Sequence, residues 1–230
     1  MKTSHQFHSF SSNQALEQGL CEQITTKLKA AVAQNGRASL VVSGGRTPIA
    51  LFQRLSQVAL DWKHVWITLA DERWVSPLHE ASNQALVEAY LLQGFAKEAN
   101  FIPLWQPGSP EAGQRHLETA LQTMPKPFDV VVLGMGLDGH TASWFPCAES
   151  IQDLFDCKHQ AALVQPTSAP YQRITLTPEV VLTAQQIFVH LKGDDKKKVY
   201  QQACQAVPTQ MPIRQVLDYA SAQVDVYWSS

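Results

Sequence analysis

The chain has 230 residues, with 18 Lys and Arg against 20 Asp and Glu, eight His and a formal charge of −2. Hydrophobic residues make up 45% and charged residues 17%, which excludes disorder as the main state; a near-neutral balance with no Lys/Arg block excludes a surface built to neutralise nucleic-acid phosphate. The polar start MKTSHQFHSF has no apolar h-region, no uncharged apolar stretch reaches the roughly 18 residues of a membrane span, and Cys21, Cys147, Cys157 and Cys204 form no CxxC pair. The expectation is a cytoplasmic, soluble protein of one large or two small domains, with no nucleic-acid or membrane partner and with reduced, mostly buried thiols.

In chain order, Leu16, Leu20, Ile24, Leu28 and Val32 recur every four residues within 13–34, which predicts an amphipathic helix stopped by Asn35-Gly36. Short, apolar, β-rich runs at 39–42, 65–69, 129–133 and 187–191 predict buried strands, with a late strand at 224–228. Between them, helices are expected to start at Thr47-Pro48, Ser82, Ser109-Pro110 and Thr177-Pro178, through a capping residue or proline in the first turn. Residues 121–128, with Pro125 and Pro127, are the best candidate hinge and read as an ordinary loop. Strands alternating with helices predict an α/β fold: a mostly parallel, Rossmann-like open sheet covered by helices on both faces.

Ligands of such sheets bind beyond the carboxyl ends of the strands, so the segments just after each run are the informative ones. The first, Ser43-Gly44-Gly45-Arg46-Thr47-Pro48, offers flexible backbone before a helix start, suited to an anion or to a tight structural turn. The second, Asp71-Glu72-Arg73, is three charged residues after an apolar strand, either a solvated or ion-paired loop or part of a site. The third, residues 134–146 (GMGLDGHTASWFP), contains a literal GxGxxG. A dinucleotide reading fails because Pro146 breaks any long helix after the third glycine and no acidic residue ends a following strand. Asp138 and His140, two apart in that loop, can instead orient an imidazole tautomer and provide a base. The fourth comprises Arg173, before a β-like segment, and Lys196, at a helix start; both carry charge that an anion would balance.

No GxSxG elbow is present, and the remaining histidines, at 5, 8, 64, 79, 116, 159 and 190, form no HExxH or Cys/His cluster, so neither a serine hydrolase nor a metal site is supported. His5 and His8 are expected in a mobile terminus. The six tryptophans read as core and rim packing.

Together SGGRTP (43–48), DERWV (71–75) with Ser82-Asn83, GMGLDGHTASWFP (134–146), RITLTP (173–178) and Gly193-x-x-Lys196 resemble the 6-phosphogluconolactonase family, a group related to glucosamine-6-phosphate isomerase/deaminase. The resemblance implies one domain over residues 1–230, hydrolysis of 6-phospho-D-glucono-1,5-lactone in the oxidative pentose phosphate pathway, and no metal or cofactor. It implies His140 as general base, Asp138 as its orienting carboxylate, and Asp71 in the same pocket. Gly44, Gly45, Arg46 and Thr47 would meet the substrate, and Arg73, Arg173 and Lys196 would supply positive charge for phosphate and oxyanion. Ser76-Pro77-Leu78 departs from the family's usual continuation, a second proline and an aspartate. Phe145 stands where the deaminases carry a ring-opening glutamate, so amino-sugar deamination is the weaker enzyme reading. A sugar-phosphate sensor is the non-enzymatic one. Monomer and homodimer are both open.

Overall fold

The computed structural model describes residues 5–149 and 151–230. After strand β1 (Gln6–Phe10), the first helix α1 (Asn13–Asn35) forms as its spacing requires. Ser12 Oγ accepts the Ala15 N–H at 3.1 Å, and Gly36, at φ 73°, closes the other end by donating to the Val32 carbonyl. Leu16, Leu20, Ile24, Leu28 and Ala31 are buried, with Val32 only half so.

The chain continues as β2 (Ala38–Val42), α2 (Ile49–Ser56), β3 (Val65–Leu69), β4 (Asp71–Arg73), α3 (Asn83–Tyr90), β5 (Asn100–Ile102), α4 (Pro110–Ala120) and β6 (Val130–Leu133). Then follow α5 (Ile151–Asp156), β7 (Ala161–Val164), β8 (Arg173–Leu176), α6 (Pro178–Val181), β9 (Gln186–Lys192), α7 (Asp194–Ala203), α8 (Ile213–Tyr219) and β10 (Gln223–Ser229). Seven strands pair in parallel in the order β1-β10-β9-β6-β2-β3-β5, flanked by helices. All five expected strands lie in this sheet. Every residue of β2 and β6 is buried, which is why they read as continuous apolar runs rather than alternating ones. The chain leaves β2 for β3 on one side, while β6 adds on the other. The crevice beyond the carboxyl ends of β2 and β6 is thus a topological switch point.

A second sheet, antiparallel in the order β4-β8-β7, was not expected. Its β4 is the charged triplet Asp71-Glu72-Arg73, whose composition opposes strand formation. Tertiary pairing overrides that: Glu72 is fully buried and its carboxylate accepts the N–H groups of Arg73, Asn83 and Gln84 and the Ser82 hydroxyl. The Ser82, Asn83 and Gln84 donors are the open amino end of α3, so Glu72 caps that helix. Burial pushes its carboxyl up, against the lowering by these hydrogen bonds.

Several expectations are corrected. Ser82 and Ser109 cap α3 and α4 as expected, but Thr47 and Thr177 make no capping bond. Pro48 lies in the turn before α2, and the Thr177 hydroxyl donates to the His159 carbonyl instead. His5 and His8 are not in a mobile end: β1 joins the sheet, His8 Nε2 lies 2.6 Å from Asp225 and His5 Nε2 lies 2.7 Å from the Tyr200 hydroxyl. The four thiols are free, yet only Cys21 is buried. No helix among the described residues is long and apolar enough to cross a membrane.

Candidate active site

A cleft of about 350 Å³ opens at the switch point. Its first wall is the loop after β2. Gly45 adopts φ 88°, and Gly44 makes room for Asn83: a Cβ at Gly44 would lie 1.9 Å from Asn83 Oδ1. The Asn83 amide in turn donates to the Asp71 carbonyl at 2.9 Å, tying this loop to the second sheet.

The second wall is cationic. Arg73 and Arg173 are direct partners on the antiparallel ladder of β4 and β8. Arg73 Nη1 donates to the Ala81 carbonyl at 2.5 Å and Arg173 Nη2 to the Pro170 carbonyl at 3.1 Å, but the buried Nε of each has no partner among the described residues. Burial and the neighbouring Arg73 charge lower the Arg173 guanidinium's pKa against the opposing pull of Asp71. Two cations set opposite each other are unfavourable to the ladder, and an anion entering between them would relieve the repulsion.

The third wall is the loop between β6 and Pro146. His140 Nδ1 lies 2.5 Å from Asp138 Oδ1, which also accepts the His140 backbone N–H at 3.2 Å. Burial raises the Asp138 carboxyl, but the hydrogen bonds and charge of His140 outweigh it and hold the group below its ordinary value. A carboxylate accepts only, so in the neutral ring Nδ1 carries the proton and Nε2 the lone pair. Nε2 has no hydrogen-bond partner among the described residues. Gly136 makes this geometry possible, since a Cβ there would lie 2.1 Å from His140 Nδ1. Phe145 packs against the imidazole, ring centroids 4.4 Å apart, and lies 5.6 Å from the Arg173 guanidinium carbon. The loop is pinned by Trp144 Nε1, donating to the Leu176 carbonyl at 2.8 Å, and by the Ser143 hydroxyl, donating to Asp71 Oδ2 at 2.5 Å.

The remaining wall comes from β9 and α7. Lys196 donates to the Met135 carbonyl at 2.6 Å. Burial lowers its pKa, opposed by the charge of Asp138. Lys192 pairs with buried Glu17 of α1. Among the described residues no group of three or more His, Cys, Asp or Glu could hold a metal ion.

Of the residues singled out from sequence, Gly44, Gly45, Thr47, Asp71, Arg73, His140, Arg173 and Lys196 line the cleft. Asp138 stands behind His140 rather than on the wall. Arg46 is exposed and off the wall, so the structure does not bring it to the others. Leu78, in the divergent Ser76-Pro77-Leu78 stretch, is 97% exposed. Sequence reasoning missed Ser143, His190 and Lys192. The signal for the last two was a His and a Lys two apart at the carboxyl end of an otherwise apolar strand, hence on one face.

The family model described as "Glucosamine-6-phosphate isomerases/6-phosphogluconolactonase" matches residues 11–228. A 6-phosphogluconolactonase of Mesorhizobium japonicum is 40% identical over 229 residues, covering 98% of this chain and 96% of the relative. One from Neisseria meningitidis serogroup A is 39% identical, covering 97% and 98%. The crystal structure of a 6-phosphogluconolactonase from Shewanella baltica superposes with a TM-score of 0.97 at 46% identity, covering all of both chains. A monomeric glucosamine-6-phosphate deaminase, at 15% identity and a TM-score of 0.79, shares the fold. The motif loops meet in one cleft, and both sequence and structure match over nearly the whole chain: the protein belongs to the glucosamine-6-phosphate isomerase/6-phosphogluconolactonase family, on its lactonase side.

Proposed function

We propose that the protein hydrolyses 6-phospho-D-glucono-1,5-lactone to 6-phosphogluconate, the lactone-opening step of the oxidative pentose phosphate pathway, with His140 as general base. The observation that carries this reading is the Asp138–His140 pair, which leaves an unprotonated Nε2 in a cleft ringed by Arg73, Arg173, Lys192 and Lys196. Nε2 takes a proton from water as its oxygen attacks the lactone carbonyl carbon, and Asp138 stabilises the resulting imidazolium. The tetrahedral oxyanion and the phosphate are balanced by the cationic groups, aided by the Gly44, Gly45 and Thr47 backbone. Collapse of the intermediate breaks the bond to the ring oxygen, which takes the proton back from Nε2. Asp71, one oxygen fixed by Ser143, offers the other to a sugar hydroxyl.

A lactone is already activated towards water, so a base worth about 10²–10⁴-fold and oxyanion donors worth roughly 10²–10³-fold suffice without a covalent nucleophile. Deamination is disfavoured because Phe145, packed on the imidazole, cannot carry a proton. The test is hydrolysis of freshly generated lactone, with spontaneous opening subtracted, by the wild type and by His140→Ala. The variant is expected to lose about 10²–10⁴-fold in kcat. Equal rates would take the base role from His140, and a wild type without turnover would turn the reading towards a sugar-phosphate sensor.

A further inference from the structure

One side chain in the cleft has no part in the mechanism above. Alternate residues of β9, including Phe188, His190 and Lys192, share one face of the sheet. His190 is 3% exposed, it lines the cleft, and neither of its ring nitrogens has a hydrogen-bond partner among the described residues. Its ladder partner on β10 is Tyr227. On the other side, the register continued one step past Leu133–Val189 brings Gly134 beside it. A Cβ at Gly134 would meet nothing within 4 Å, so the cleft leaves space beside the buried imidazole.

Burial, helped by the charge of Lys192, pushes the imidazole pKa down to about 3, so the ring is neutral at physiological pH. A neutral imidazole offers one donor and one acceptor. Burying both unpaired costs free energy that polar atoms of a ligand can offset. A phosphate dianion only accepts and is better matched by the cations. A hydroxyl group donates and accepts, as the ring does. We infer that His190 is a specificity-determining residue that hydrogen-bonds a hydroxyl of the sugar portion of the ligand. This rests on the cleft taking a phosphorylated sugar lactone or acid.

The experiment compares binding of 6-phosphogluconate and of inorganic phosphate, by calorimetry, to the wild type, His190→Leu and His190→Gln, alongside lactone turnover and thermal melting. His190→Leu is expected to weaken 6-phosphogluconate roughly three- to tenfold, the worth of one neutral hydrogen bond, with phosphate binding unchanged. KM should rise by a similar factor with kcat little affected, the melting temperature should not fall, and His190→Gln should restore binding. Unchanged 6-phosphogluconate affinity would overturn the inference and make His190 a core residue without a role in ligand binding. Equal loss of both ligands would overturn it too, as general damage to the cleft. Should His190→Leu not fold, the imidazole ¹⁵N resonances of the wild type decide, with His190 identified by its absence in His190→Gln. They are expected to shift with 6-phosphogluconate and not with phosphate, and no shift overturns the inference. Failure of the lactonase reading would appear separately, as a wild type that binds 6-phosphogluconate without turning the lactone over.

Discussion

Replacing Gly136 with alanine tests the geometry of the base directly. The added Cβ would stand 2.1 Å from His140 Nδ1, 2.3 Å from Cε1 and 2.4 Å from Asp138 Oδ1. Reaching an ordinary 3.4 Å contact requires the imidazole to retreat by about 1.3 Å and the carboxylate by about 1.0 Å. Neither can do so freely: the ring rests on Phe145 and is tied to Asp138 at 2.5 Å. The retreat therefore parts the pair or turns Nε2 away from the attacking water. Misplacement of a reacting group by 1 Å costs about 10²-fold, so Gly136→Ala should lose on the order of 10²-fold in kcat for lactone hydrolysis. Thermal melting should change little in comparison, because both side chains are partly exposed in a loop. A variant that keeps kcat within about threefold of the wild type would refute the argument that this glycine exists to seat the imidazole.

Acid stability should depend on His190. Its imidazole takes a proton near the ordinary 6.5 in the unfolded chain but only near 3 in the folded one. Stability is whole above 6.5 and falls as pH drops towards 3, by about 1.4 kcal/mol per unit and about 2 kcal/mol at pH 5. Urea unfolding at pH 7 and pH 5 should show this part of the loss in the wild type and not in His190→Leu, and parallel losses would sink the idea. Ala142 holds φ 47° in the active loop, a left-handed conformation that only glycine adopts freely. Ala142→Gly should therefore raise stability, by about 0.5–1 kcal/mol after the glycine's larger unfolded-state entropy is subtracted. A lower melting temperature would mean that the methyl group's packing outweighs the strain.

The parallel sheet was legible because its strands are buried on both faces, so that runs such as Leu40-Val41-Val42 and Val130-Val131-Val132 carry their own signal. The second sheet was not, because its β4 is built from three charged residues whose strand conformation depends on β8, about a hundred positions away. The Asp138–His140 pair was legible, being local: two residues apart, its hydrogen bond needs only the glycines of its own loop. Ser143 was hidden, since its role as donor to Asp71 spans 72 positions. His190 was hidden for a different reason. A histidine in an apolar strand reads as a satisfied core residue until its missing partners and the open space beside Gly134 are seen. Arg46 was over-read: its neighbours Gly44, Gly45 and Thr47 reach the cleft, but the turn sends its own side chain to solvent.

The second sheet doubles the cations of this crevice. The parallel sheet and its helices supply the two glycine-rich loops after β2 and β6, Lys192, which is already paired with Glu17, and Lys196, which donates to the Met135 carbonyl. β4 and β8 add Arg73 and Arg173 as direct cross-strand partners, an arrangement that favours neither strand by itself. The cost is met locally by buried interactions that need no ligand: Glu72 caps α3, Asp71 holds Ser143 and so the histidine loop, and Trp144 donates to the end of β8. The guanidinium groups are thereby held close together, with both Nε donors unpartnered. Positive charge fixed before the ligand arrives needs no reorganisation as an oxyanion develops, and such preorganisation is what makes electrostatic stabilisation effective. The same anchoring ties the cations to the base. Asp71 and Ser143 connect the arginine strand to the loop carrying His140, so a change that loosens either one moves charge and base relative to each other.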